Sequence, residues 1–163
     1  MYQNNSLVNI EGASFIFMTN FSGDPARSGK YPSTTRQANL TIPDVNLARN
    51  LIDEGFKVKL TKPREGEEEG FVPTYFIPIK VNYQVKYPPK IYLVAGDDAE
   101  PRLLNEDTIN VLDKIRVKNV DVTLNKRFTD MGNTLYVRTM YVKQDVDDDP
   151  WAGKYFSRTH DEY

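Results

Sequence analysis

The stretch Phe56-Lys57-Val58-Lys59-Leu60-Thr61-Lys62 decides how the rest of the chain is read. Phe56, Val58 and Leu60 alternate with Lys57, Lys59 and Thr61 without a slip. Side chains two apart share one face of a strand. The run therefore predicts a strand buried on one side only, with a cationic row on the other. A second alternation follows over residues 75–83. Tyr75, Ile77, Ile79, Val81 and Tyr83 form one row, and Phe76, Pro78, Lys80 and Asn82 the other. Side by side, the two strands give a curved sheet whose open face carries lysine and an aromatic ring. Such a face suits a single nucleic-acid strand, because cations meet phosphates and flat rings stack on bases. Lysines that only solubilise a strand or guard a sheet edge fit the same pattern.

Upstream, residues 1–12 read as a poorly ordered arm or an edge segment. Residues 13–19 form a strand with two apolar faces, Phe15 and Phe17 on one and Ile16 and Met18 on the other, so it is either central or its aromatic row serves a site. Residues 24–35 are a loop rich in Pro, Gly and Ser that carries Arg27, Lys30 and Tyr31, with Arg36 just after it. It suits a flap over a phosphate backbone, or an ordinary surface loop. Residues 39–42 form a short strand. Asp44 is then placed to cap a helix with an apolar face of Val45, Leu47, Ala48, Leu51 and Ile52, which Gly55 closes.

Downstream, residues 63–70 make a charged hairpin connection. Residues 90–95 form a strand with Ile91, Leu93 and Ala95 opposite Tyr92 and Val94. Asn105 can cap a second short helix running to about Leu112. In residues 117–124, Val120, Val122 and Leu124 alternate with Asp121, Thr123 and Asn125, and Lys126, Arg127 and Phe128 lead into a hairpin. The last strand sets Leu135, Val137, Thr139 and Tyr141 against Tyr136, Arg138, Met140 and Val142. Six or seven mostly antiparallel strands with two short helices make a mainly β (α+β) chain. Barrels hide strand edges, and a five-stranded barrel with an inserted helix is the OB arrangement. The expected fold is thus a five-stranded OB-like antiparallel barrel with extra strands over residues 13–144.

Composition narrows the chemistry. A chain of 163 residues suits one domain with a sizeable core. The absence of cysteine excludes disulfides, thiolate metal sites and cysteine nucleophiles. The single histidine, His160, lies in the tail, so no histidine triad or histidine metal cluster is present. There is no glycine-rich phosphate loop with its lysine. Asp97, Asp98 and Glu100 could form part of a metal-dependent nuclease site, although Gly96 and Pro101 around them read as a turn. No cofactor is expected. No apolar run approaches the length of a membrane span. The net charge of −2 is uneven: residues 145–163 carry a net −4 and the remainder a net +2. A slightly basic body with an acidic tail over residues 145–163 is the more telling description.

Several segments, in order, resemble the single-stranded DNA-binding proteins of tailed bacteriophages, an OB-fold replication and recombination family. They are Asn20-Phe21-Ser22-Gly23, residues 48–55 leading into Phe56-Lys57-Val58-Lys59, and Pro89-Lys90-Ile91-Tyr92-Leu93-Val94-Ala95-Gly96. Val111-Leu112-Asp113, Lys118-Asn119-Val120-Asp121 and Leu135-Tyr136-Val137-Arg138-Thr139-Met140-Tyr141-Val142 follow in the same order. The resemblance implies a protein that coats and protects single-stranded DNA during replication or recombination, without sequence preference or catalysis, in the cytoplasm of an infected bacterium. The rival readings are an OB-like protein–protein module of a phage assembly and a metal-dependent nuclease.

The candidate cations are Arg36, Lys57, Lys59, Lys62, Arg64, Lys80, Lys90, Lys126, Arg127 and Arg138, and the candidate rings are Tyr31, Phe76, Tyr92, Phe128 and Tyr136. In the tail, Asp147, Asp148, Asp149, Trp151 and the terminal Tyr163 are expected to compete for the basic groove or to dock replication and recombination proteins. Packing of the tail on a neighbouring copy would give self-association along DNA.

Overall fold

The computed structural model describes residues 6–96 and 99–145. Nine strands are ordered β1 (Leu7–Ala13), β2 (Phe15–Asn20), β3 (Arg36–Thr41), β4 (Lys59–Leu60), β5 (Tyr75–Val81), β6 (Lys90–Val94), β7 (Arg102–Leu104), β8 (Val117–Arg127) and β9 (Thr134–Gln144). One α-helix, α1 (Val45–Asp53), and 3-10 helices at Pro25–Arg27 and Ile109–Asp113 complete the described residues. All nine strands share one sheet. Its main path is β1-β8-β9-β5-β3-β2, with β4 on β5, β6 on β9 and β7 on β6.

The fold is mainly β, but the ladder does not close into the expected five-stranded antiparallel barrel. The two ends of the path, β1 and β2, are consecutive pieces of chain joined through Ser14. The Ser14 N–H donates to Thr41 Oγ1 at 2.9 Å, and its carbonyl accepts from the Thr41 N–H at 2.9 Å. The chain turns there, so that β1 lies along β8 and β2 along β3. Connectivity, rather than a last ladder, brings the sheet round its core. Two pairings, β5 with β9 and β6 with β9, are parallel rather than antiparallel.

The core is where the alternation places it. Leu40, Ile79, Ile91, Leu124, Leu135 and Met140 are fully buried. Helix α1 closes one end. The Asp44 carboxylate accepts from the N–H groups of Asn46 and Leu47, and Ala48 and Leu51 are buried. Past the helix, Gly55 at φ +89° lets the chain turn beneath Asn133, whose Nδ2 lies 2.9 Å from where a Cβ would stand.

Four expectations need correction. The run at residues 56–62 contributes only the two-residue β4. Phe56 is buried and Val58 packs on the core, but Leu60 is 45% exposed. Pro63 and the charged connection after it carry the chain off the sheet. The second helix is a single 3-10 segment, because the Asn105 carboxamide accepts from the N–H groups of Asp107 and Thr108 and closes a tight turn instead.

The other two corrections are register slips. In β2 the pairing shifts between Ile16 and Asn20, with Phe17 at φ +61°. Phe15 stays on the core side, edge-on to Phe21 at 5.1 Å, while Phe17 turns outward. In β9 the residues opposite Thr123 and Leu124 are Thr139 and Val137, which leaves Arg138 extra. Leu135 and Val137 point inward before it and Met140 and Val142 after it. One extra residue in a strand reverses every side chain beyond it. Of the segment read as an arm or edge, residues 7–12 belong to β1.

Candidate nucleic-acid interface

Register assigns the outer face of the sheet. In β5, Ile77, Ile79 and Val81 are buried in the core, so Phe76, Pro78 and Lys80 take the opposite side. Directly paired residues share a face. Lys59 lies opposite Phe76, Asn39 opposite Pro78, and Gln37 and Tyr136 opposite Lys80. Asn125 continues the row beside Tyr136.

Two rings anchor one end of this face. Phe17 is 67% exposed, and its ring meets that of Phe76 at 5.3 Å and 77°. Phe76 is itself only 8% exposed, so Phe17 is the member of the pair that is open to a base. A phenylalanine at positive φ is an outlier, because its Cβ crowds the backbone there. Such strain persists only where the surroundings enforce it, and it concentrates at functional positions. Met18, 64% exposed, extends the apolar surface. At the other end, the Arg127 guanidinium lies 5.9 Å from the centre of the Tyr136 ring.

Three depressions connect these ends. The first, about 250 Å³, is lined by Met18, Asn20, Arg27, Gln37, Asn39 and Pro78 among others. The second, about 390 Å³, contains Lys80, Tyr83 and Tyr136. The third, about 420 Å³, contains Tyr136, Arg127, Asn125 and the turn residues Lys86 and Tyr87. Tyr136 borders both the second and the third. The trail crosses β2, β3, β5, β9 and β8, which is about 19 Å at the usual strand spacing. Among the described residues no group of three potential metal ligands occurs.

The candidates sort by what they already contact. Lys59, Lys80, Arg127, Tyr136 and Phe76 line the trail. Arg138 is exposed on β9 just beyond Tyr136. Tyr31 is 75% exposed on the loop after β2, with Lys30 Nζ 5.5 Å from its ring centre. Phe128 is 56% exposed in the β8–β9 turn, edge-on to Phe56 at 5.5 Å. The Lys57 stem lies over Gly132 in that same turn. Lys62 and Arg64 are exposed beyond β4, on the connection to β5.

Three candidates are already engaged by protein groups, although Arg36 still lines the second depression and Lys126 the third. Lys126 faces inward, and its Nζ pairs with Glu54 Oε1 at 2.7 Å. Arg36 pairs with Val81 on the core side, and its Nη1 donates to the Phe21 carbonyl at 2.6 Å. Tyr92 lies across β6 and stacks on Tyr141 at 4.6 Å and 13°, away from the trail. Lys90 shares that second face, paired with Thr139.

Sequence reasoning held Phe17 only as part of an aromatic row that could serve a site, and named none of Met18, Asn20, Lys86 and Tyr87 as a contact. For Phe17 and Met18 nothing in the sequence marks the bulge. For Lys86-Tyr87 the cue was present, a base beside a ring in a turn, as at Lys30-Tyr31. Asp97, Asp98 and the tail residues Asp147, Asp148, Asp149, Trp151, His160 and Tyr163 lie outside the described residues.

A buried carboxylate braces the loop that walls the first depression. Asp113 accepts from Thr19 Oγ1 at 2.6 Å and from the N–H groups of Phe21 and Ser22 at 2.8 Å each. The Arg27 Nε lies 3.4 Å from its Oδ2 and donates to the Thr19 carbonyl at 2.8 Å. Burial alone would raise the Asp113 pKa. The bonds from Thr19, Phe21 and Ser22 outweigh it and hold the carboxyl below its ordinary value of 3.8. Burial also pushes the Tyr83 phenol up to about 12. Arg36 opposes that rise and Glu106 adds to it.

No curated protein matches the chain. A family model described as "Putative phage ssDNA-binding domain" matches residues 1–157. The match spans every element that builds the ring-and-cation trail, and the chain belongs to this family of phage single-stranded DNA-binding proteins.

Proposed function

We propose that the protein coats and protects single-stranded DNA during phage replication or recombination, in the cytoplasm of the infected host and without catalysis. The DNA lies on the outer face of β2, β3, β5, β9 and β8. The observation that carries this reading is the single row from Phe17 and Phe76 through Lys59 and Lys80 to Tyr136 and Arg127. It combines rings with cations, and neither kind of contact depends on base sequence.

The strand order supports an OB-like topology. If β1–Ser14–β2 counts as one bent first strand, it borders the second strand, β3, and the fourth, β8. The third strand, β5, then runs parallel to the fifth, β9. OB domains bind oligonucleotides on the strand 2–3 face and with the loops between strands 1 and 2 and strands 4 and 5. Here those are the β3–β5 face, the loop bearing Arg27 and Tyr31, and the turn bearing Phe128. In this reading the acidic tail at residues 145–163 competes with DNA or docks replication and recombination proteins, and neighbouring copies associate along the strand. The second face, with Tyr92, Tyr141 and the exposed Leu103, favours a protein partner as an additional role.

Fluorescence anisotropy of a labelled dT12 oligonucleotide across a salt series, with and without Mg²⁺, tests this. Binding that weakens steeply with salt, with the oligonucleotide intact, is the expected result. Absence of binding points to a protein–protein module, and Mg²⁺-dependent cleavage to a nuclease. Either outcome overturns the reading.

A further inference from the structure

Asn20 is 2% exposed and lines the first depression, and its Nδ2 has no hydrogen-bond partner. The orientation of its amide is not arbitrary. Oδ1 accepts from the Asp24 N–H at 2.9 Å and lies 3.4 Å from Ser22 Oγ, and a backbone N–H accepts nothing in return. The oxygen is therefore fixed toward Asp24, and the donor end is left over. A buried donor without an acceptor costs a folded protein a substantial part of a hydrogen bond, and native structures rarely leave one so.

The surroundings suit a flat, polar-edged guest. Met18 and Pro78 supply apolar walls, and Gln37 and Asn39 supply further amides from the neighbouring strand. The Arg27 side is held in place by Asp113. Met18 is unbranched and 64% exposed, so its side chain can adapt to a guest. Phe17, at φ +61°, directly precedes Met18.

From this geometry we propose that the depression takes one base of the bound strand edge-first and reads a carbonyl oxygen with Asn20 Nδ2. The inference rests on the single-strand reading above and adds to it. Thymine, cytosine and guanine carry such an oxygen, and adenine can offer only a ring nitrogen in its place. The stacked bases elsewhere in the trail are held through their faces, which all four bases share.

The test compares dT12 with a 12-mer of the same shape carrying 2,4-difluorotoluene in place of every thymine, on the wild-type protein and on Asn20→Asp. That variant keeps an oxygen for the Asp24 N–H and removes the donor. The wild type should bind dT12 roughly three- to tenfold more tightly, the range for one neutral hydrogen bond, and the variant should lose that preference. Equal preference in both proteins overturns the proposal. A second reading needs no variant: the Asn20 side-chain amide signals of ¹⁵N-labelled wild type should shift on adding dT12 and stay unmoved with the isostere. Identical shifts with both oligonucleotides overturn it. Failure of dT12 to bind at all refutes the single-strand reading instead, so the two failures are distinguishable.

Discussion

The ring of Phe17 stands edge-on to that of Phe76 at 5.3 Å, although the two residues lie on β2 and β5 with β3 between them. Only the bulge at Phe17 makes this contact possible. Without it, Phe17 would lie on the core side with Phe15. The pair is therefore a bipartite surface, with Phe76 as a buried base and Phe17 as the exposed ring.

Phe17 should matter for binding far more than for stability. Glycine accepts φ +61° freely, so Phe17→Gly relieves strain of order 1–3 kcal/mol while losing an aromatic pair of about 0.5–1.5 kcal/mol and adding chain entropy. These terms nearly cancel, and the melting temperature should move by only a few degrees. Affinity for dT12 should fall by about 1–3 kcal/mol, the value of one stacked base. Calorimetric melting beside anisotropy checks both. A variant that melts far lower, or binds as tightly as wild type, contradicts the role given to Phe17.

The lysines should separate by salt dependence. Lys59 and Lys80 line the outer face, and each phosphate contact on a single strand contributes about −0.7 to the slope of log K against log salt. Lys59→Ala with Lys80→Ala should make that slope shallower by about 1.4. Lys126→Ala should leave the slope unchanged and lower stability, because its Nζ is held by Glu54. A slope change for Lys126→Ala equal to that of the double variant would refute the assignment.

The contrast between these lysines marks what the sequence can disclose. The alternation at residues 75–81 and 117–124, and the capped helix after Asp44, are legible because period and burial agree along the whole segment. Lys126 is legible only in part. Its position in the alternation after Leu124 places it inward, but nothing in the sequence shows Glu54 waiting there. Phe17 and Arg138 lie at bulges, and a bulge leaves no compositional mark when the extra residue is neither glycine nor proline. The run at residues 56–62 alternates well but joins a ladder only at Lys59 and Leu60, with an isolated bridge from Phe56 to Asn133, because strand length depends on the neighbour's reach.

Asp113 should control the stability of the β2–β3 loop. Asp113→Asn keeps the volume but removes the charge that three donors and Arg27 share, and should cost about 3 kcal/mol, the upper range for a hydrogen bond to a charged group. The pH dependence follows from the lowered pKa. Below its ordinary value of 3.8 the unfolded chain takes up the proton first. The stability due to Asp113 is then complete above that value and is lost as pH falls through the lower folded value. Urea denaturation between pH 2 and 6 should show a steeper acid loss for wild type than for Asp113→Asn. Parallel curves would contradict this.

Tyr83 carries a buried hydroxyl without a partner. Tyr83→Phe removes that group and should leave stability equal or raise it by about 1 kcal/mol. The wild type should also show one phenol titrating late, near pH 12, since burial disfavours the phenolate. Because the folded value lies above the unfolded one, its contribution to stability is complete below pH 10 and is lost as pH rises toward 12. Ultraviolet titration of wild type against Tyr83→Phe should show the late phenol disappear. Its persistence in the variant would reassign it.

The most direct test of where DNA lies is photo-crosslinking with dT12 bearing 5-iodouracil at successive positions, followed by mass spectrometric mapping of the adducts. Adducts at Phe17 and Tyr136, with Phe76 covered beneath Phe17, are the expected result. Adducts confined to Tyr92 and Tyr141, on the other stretch of the sheet, would contradict the account.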